Sequence, residues 1–169
     1  MIRPLTKADA AALRALRLEG LREAPEAFSA AYEDEVQLSD EDFAARIPDV
    51  PPSAIFGAFK DQALVAMTGL LVHTGRKERH KGMVWGVYVS PSGRGLGLAK
   101  QLLDVAIAHA RTIEGVEILQ LGVGVHNEPA KAIYTAAGFE VYGVERGALR
   151  LETGRYIDEE LRMLDLTAG

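Results

Sequence analysis

The sequence predicts an α/β fold on one mixed, mostly antiparallel sheet of about seven strands flanked by about four helices. Three observations predict it. Two β-rich runs, Ala54 to Phe59 and Leu64 to Val72, are joined by Lys60-Asp61-Gln62 and followed by a third run, Met83 to Val89. From Leu98 the apolar spacing turns helical and then returns to a strand near Val116, which makes a right-handed crossover and sets two strands parallel. Between them, Val87-Tyr88-Val89-Ser90-Pro91-Ser92-Gly93-Arg94-Gly95-Leu96-Gly97-Leu98-Ala99 carries a β-branched strand into a glycine-rich turn and then a helix.

The elements follow in order. Ile2-Arg3-Pro4-Leu5 reads as a short first strand, and Thr6 with Asp9 forms a capping pattern that opens a helix with Leu13, Leu16 and Leu21 on its apolar face. Glu26 to Tyr32, after Pro25, fits helix or loop equally. Ser39 and Asp42 open a second helix containing Phe43 and Ile47, which Pro51-Pro52 ends. The two runs after it form an antiparallel hairpin, and the third is the strand that leads into the glycine turn. Ala99, Leu102, Ala106, Ala110 and Ile113 share one face of the next helix. Val116 to Val123 is the crossover strand, Glu128 to Ala137 a helix stopped by Gly138, and Phe139 to Val144 and Tyr156 to Met163 the last strands, with Gly154 in their turn. By period-two alternation, Trp85 and Tyr88 fall on opposite faces of their strand.

The glycine turn has the build of an anion cradle. Glycines 93, 95 and 97 permit angles other residues resist and let a ligand approach the backbone. The unpaired amides sit at the positive end of the following helix, where phosphate is favoured by hydrogen bonding and by the helix dipole. Arg94 adds a fixed charge. Three familiar phosphate cradles are excluded. A dinucleotide fingerprint would need glycine or alanine where Leu98 or Lys100 stands, and no Gly-Lys-Ser/Thr triplet marks a P-loop. The downstream signatures of a kinase glycine loop are absent.

What remains, Arg94-x-x-Gly97-x-Ala99 after a strand ending in Val-x-Pro, resembles the acetyl-coenzyme A motif of the GNAT superfamily N-acetyltransferases. Asn127-Glu128-Pro129-Ala130-Lys131-Ala132-Ile133-Tyr134-Thr135-Ala136-Ala137-Gly138-Phe139 is similar to that family's Asn-x-x-Ala-x-x-x-Tyr-x-x-x-Gly-Phe signature. The resemblance is strong over residues 82–142 and loose over the last part of the chain.

The resemblance implies that the two parallel central strands splay apart and that the pantetheine arm of acetyl-coenzyme A lies in the gap, pairing with the backbone of Val87 and Val89 like an added strand. The pyrophosphate would rest on the amides of Arg94, Gly95, Leu96, Gly97, Leu98 and Ala99, and the thioester would end near Asn127 and Tyr134. Tyr134 would protonate the departing thiolate; its other reading is a packing aromatic beside Ile133 and Phe139. Asn127 also reads as a helix cap. A second copy covering an exposed sheet edge would make a homodimer like others in the family.

Composition bounds the rest. The 169 residues, 48% hydrophobic and 25% charged, suit a single domain with one sizeable core. A net charge of -5 gives no bulk reason to expect nucleic acid, and the basic run Arg76-Lys77-Glu78-Arg79-His80-Lys81 reads first as a solvated hairpin loop and second as an anion patch. No apolar run reaches the roughly 20 residues of a membrane span and the amino terminus shows no signal-peptide core, so a cytoplasmic protein is expected. The absence of cysteine excludes a cysteine acyl intermediate, no serine sits in a Gly-x-Ser-x-Gly elbow, and His73, His80, His109 and His126 lack metal-site spacing. No metal is expected.

An ammonium acceptor must lose a proton before it attacks, and for a lysine-like amine of pKa about 10.4 this costs roughly 4 to 5 kcal/mol at neutral pH. Many members of the resembled family place a glutamate on the motif strand, yet Met83-Val84-Trp85-Gly86-Val87-Tyr88-Val89 has no carboxylate or histidine. Glu33, Glu35, His73 and Asp158 are the candidates, each also readable as an ordinary surface residue, with a water relay beside them. Trp85 reads as a core aromatic before it reads as a wall of the acceptor pocket. The expected activity is acetyl transfer from acetyl-coenzyme A to a primary amine by direct attack in a ternary complex, with a small-molecule acceptor favoured. A protein amino terminus or lysine as acceptor, and a non-catalytic acyl-coenzyme A sensor, stay open.

Overall fold

A computed structural model describes residues 1–168. Seven strands form one sheet in the order β1-β2-β3-β4-β5-β7-β6, from β1 (Ile2–Pro4), β2 (Ala54–Lys60), β3 (Ala63–Val72), β4 (Lys81–Val89), β5 (Ile118–Gly124), β6 (Glu140–Arg150) and β7 (Tyr156–Asp165). Every neighbouring pair is antiparallel except β4 and β5. Among the described residues five α-helices accompany the sheet: α1 (Ala10–Glu23), α2 (Tyr32–Glu35), α3 (Asp40–Arg46), α4 (Leu98–Arg111) and α5 (Glu128–Ala136). The helix beyond the expected four is the single turn α2, which starts at Tyr32, the last residue of the stretch read as helix or loop, and runs past it.

Two apolar layers hold the sheet. On one face, Leu102, Leu103, Ala106 and Ala110 of α4 are fully buried against Phe56, Leu70, Leu119 and Leu121, with Tyr134 and Phe139 in the same layer. On the other, Leu13, Leu16 and Leu21 of α1 pack with Phe28, Phe43, Met67 and Tyr88. At roughly 1.5–3 kcal/mol for each fully buried aliphatic side chain, these layers drive the fold. The expected capping box exists, with Asp9 accepting from the Thr6 backbone at 2.8 Å, and it opens a 3₁₀ turn, Lys7–Asp9, that runs into α1. The run Arg76 to His80 is a hairpin loop between β3 and β4, exposed from Arg76 to Arg79 with His80 half-buried.

The structure corrects several expectations, among them the second helix, which ends at Arg46 with Ile47 as its extended cap and not at Pro51-Pro52. β6 extends to Arg150 rather than ending at Val144: Gly147 at φ +61° makes an irregularity after Glu145, and pairing resumes at Leu149 with Ile157. β5 begins at Ile118, two residues later than read. Trp85 and Tyr88 lie on the same face of β4, both against the α1 layer, while Val84 and Val87 face α4. Gly86, at φ +63°, forms a bulge: Met67 pairs with Tyr88 and Gly69 with Trp85, so β4 carries one extra residue. One inserted residue reverses the alternation that the sequence pattern assumed.

Candidate active site

β4 and β5 pair only at their starts, where Lys81, Gly82 and Met83 oppose Ile118, Leu119 and Gln120. Beyond Met83 they part, which is the splay that the resemblance implied. Ser90 donates to the Val65 carbonyl at 2.8 Å, so the register alternates to leave Val89 in the non-bonded pair with Ala66. The N–H and C=O of Val89 therefore point away from β3 toward the gap, and Val87 shares that direction. The cleft has a volume of about 340 Å³; Trp85 to Val89 line one side, and Gly122, Asn127, Ile133, Tyr134 and Glu159 the other. The 3₁₀ turn Pro25–Ala27 and its flank close it through Ala24 and Ala27.

The glycine turn stands at the mouth. Arg94 N–H is engaged by Pro91 at 3.3 Å, whereas Gly95, Leu96 and Gly97 donate to no protein group among the described residues. The first internal bond of α4 runs from Gln101 to Gly97 at 3.1 Å, so the amides of Leu98, Ala99 and Lys100 are free as well. Gly97 is the N-cap at φ +68° and brings no side-chain cap. Six consecutive N–H groups thus face the mouth unpaired. Gly95 and Gly97 hold positive φ with nearly open space above them, but Gly93 does not; a Cβ there would press on Leu98, Val65 and Val89 at 3.2 Å. Gly93 serves close packing of the turn, a correction to the reading that gave all three glycines one role.

Arg94 lines the cleft with its guanidinium on Glu23 at 2.7 Å. Tyr88 donates to Glu19 at 2.9 Å and lies against the Glu23 carboxylate. The Tyr88 contact and the Arg94 charge hold Glu23 below the usual carboxylate range, and burial with the two carboxylates pushes the Tyr88 phenol far above the usual one. One network thus ties the end of α1 to β4 and the turn.

Asn127 caps α5, its side chain accepting from the Ala130 N–H at 3.3 Å, and also lines the cleft. Tyr134 is buried edge-on to Phe139 at 6.0 Å between centroids, and its hydroxyl has no hydrogen-bond partner among the described residues. Burial pushes its pKa up to about 12, with the Arg162 guanidinium pulling the other way. The phenol is therefore protonated at neutral pH.

The four residues offered as the base do not line the cleft. Glu35 is buried on Arg17 at 2.9 Å and Arg46 at 3.0 Å; burial opposes its charge, but the two guanidinium groups hold it below the ordinary glutamate value. Glu33 lines a separate cavity, Asp158 accepts from the Gly147 N–H at 2.7 Å, and His73 lies beyond the far end of β3. Sequence reasoning missed Glu159, which does line the cleft, and Arg162, buried on β7 and bonded to the Thr135 hydroxyl at 2.8 Å and the Lys131 carbonyl at 3.2 Å, where it fixes α5. Their signal was present: Asp158-Glu159-Glu160 with Arg162 is an unusual density of charge inside a strand.

An open sheet whose parallel centre parts above a ring of free amides defines an acetyltransferase-type α/β fold, and solved structures of that class match it. A GNAT-family acetyltransferase of Streptococcus pneumoniae superposes with TM-score 0.85 at 23% identity, covering 98% of both chains. A phosphinothricin acetyltransferase of Sinorhizobium meliloti, in complex with acetyl-coenzyme A, superposes at TM-score 0.83 and 20% identity, over 98% of this chain and 87% of that one. Residues 17–139 match the Acetyltransferase (GNAT) family, and the chain belongs to it. A mycothiol acetyltransferase of Thermomonospora curvata is 34% identical over 107 residues, which is 62% of this chain and 34% of that protein. The chain spans a quarter to a third of the length of the curated relatives it matches. No helix among the described residues is long and apolar enough to cross a membrane.

Proposed function

We propose that this protein is an N-acetyltransferase that moves the acetyl group of acetyl-coenzyme A to a primary amine by direct attack in a ternary complex. The observation that carries it is the run of free amides, Gly95 to Lys100, at the mouth of a cleft between parted strands. Such amides suit a diphosphate. The open backbone positions of Val87 and Val89 suit an amide-bearing arm that adds itself as a strand. Arg94 stands beside the diphosphate position, and Asn127 and Tyr134 flank the inner end, where the thioester would lie.

The structure of the Sinorhizobium relative holds acetyl-coenzyme A, and the Thermomonospora relative is a mycothiol acetyltransferase; both support the reading of this chain. Attack by the amine nitrogen on the thioester carbon expels a thiolate, and Tyr134, protonated at neutral pH, supplies its proton. A small acceptor is supported by a second cavity, about 550 Å³, between Pro25–Glu33 and the β6–β7 hairpin. That volume is the size of a small-molecule site. Residues 24–28 wall both spaces.

Calorimetry with acetyl-coenzyme A and a thiol-release assay over a panel of amines test the proposal. Folded protein that gives no heat with acetyl-coenzyme A defeats it, and binding without turnover of any amine favours a sensor. Tyr134→Phe should lower kcat about 100-fold while the acetyl-coenzyme A Kd stays within about twofold, since only the proton donor is removed.

A further inference from the structure

Among the residues that line the cleft, Glu159 is the one carboxylate. Its place depends on Gly122. Leu119, Leu121 and Val123 of β5 face α4, so Gly122 and Gly124 face the opposite side, where Trp85, Tyr88 and α1 stand. A Cβ on Gly122 would meet the Glu159 Oε2 at 2.7 Å. The carboxylate therefore occupies the space that any side chain at position 122 would fill, and it does so beside the parted stretch of β4, Val84 to Val89, whose one titratable side chain is the Tyr88 phenol.

We propose that Glu159 is the general base of this cleft and that the acceptor is a cationic amine drawn to it. The assignment rests on the transferase reading above. The ammonium gives one proton to the Glu159 carboxylate, which passes it to water. The nitrogen lone pair bonds to the thioester carbon, the C–S bond breaks with its electrons on sulfur, and the thiolate takes the Tyr134 proton. The second proton leaving nitrogen returns through water to the Tyr134 oxygen. The balance is one ammonium and one thioester giving one amide, one thiol and one proton.

The surroundings suit this work. Burial and the Glu145 charge push the Glu159 pKa above the ordinary glutamate value, which makes the carboxylate a stronger proton acceptor. Glu145 is its register partner on β6; β5 presents only Gly122 and Gly124; the 3₁₀ turn on the α1 side carries Glu26; across the gap stand Tyr88 and Arg94. Glu160 turns to the other face and is held by Arg162 and Lys131, so it does not compete.

The test uses the full chain with acetyl-coenzyme A and three probe amines: spermidine, an amino-acid amide and a short peptide with a free amino terminus. Glu159→Gln should lower kcat/KM for the accepted amine about 100-fold or more and abolish the acidic limb of its pH–rate profile, with the acetyl-coenzyme A Kd within threefold of wild type. Gly122→Ala should lower the rate about tenfold or more by displacing the carboxylate, again with cosubstrate affinity kept, which covers the case in which Glu159→Gln does not fold. A Glu159→Gln enzyme within threefold of wild type that keeps its acidic limb overturns the base assignment alone. Wild type that binds acetyl-coenzyme A but acetylates none of the three overturns the transferase reading and the assignment with it.

Discussion

At the residue scale, the proposed cradle turns on Gly97, whose φ of +68° no β-branched residue holds without strain. The nearest atom to an added Cβ is Gln101 Nε2 at 3.7 Å, so the cost of Gly97→Val is conformational and not a clash. At about 1–3 kcal/mol of strain, acetyl-coenzyme A affinity should fall roughly tenfold to a hundredfold, read by calorimetry on a variant with unchanged circular dichroism. Unchanged affinity would remove the turn from the proposed site. Arg94, Gly97, Asn127 and Tyr134 were legible because they fall in two short stretches that resemble motifs of the GNAT family. Glu159 was not, because its position depends on the missing side chain of Gly122, thirty-seven positions away in sequence and adjacent only across the sheet.

At the element scale, α1 begins where Asp9 accepts from the Thr6 N–H at 2.8 Å and forms a two-pronged pair with Arg3 at 2.7 and 2.8 Å. The Arg3 hydrogen bonds lead in holding the Asp9 carboxyl well below its usual range. A depressed native pKa means that stability is present above the unfolded value, about 3.9, and is lost as pH falls through the native one. Asp9→Asn should therefore cost about 1 kcal/mol at pH 7 in urea unfolding, with the difference from wild type fading below about pH 4. A constant difference down to pH 2 would place the cap's worth elsewhere. Capping pairs and helix faces were legible since both depend on neighbours within four residues. The β4 bulge was not, because a glycine in a strand does not announce which neighbouring strand its extra residue will face.

At the scale of the whole molecule, two apolar layers grip one sheet, and β3 belongs to both through Met67 on one side and Leu70 on the other. Loosening either layer should lower the same unfolding transition. Phe43→Ala, on α3 in the α1 layer, and Leu102→Ala, on the buried face of α4, remove side chains that are 1% and 0% exposed. Each should cost about 2–5 kcal/mol and lower the Tm by roughly 5–15 °C in one cooperative melt. Two separate transitions would mean that the layers do not share a fold. The sequence by itself determined the strand and helix order, the crossover that sets β4 beside β5, and the run of amides at the turn, since each follows from periodicity or from a local backbone requirement. Only the tertiary structure decided where β4 and β5 part, which face Trp85 and Tyr88 share, and which carboxylate stands in the cleft. These depend on side chains and backbones that meet across strands distant in sequence, where one bulge or one absent Cβ changes the outcome.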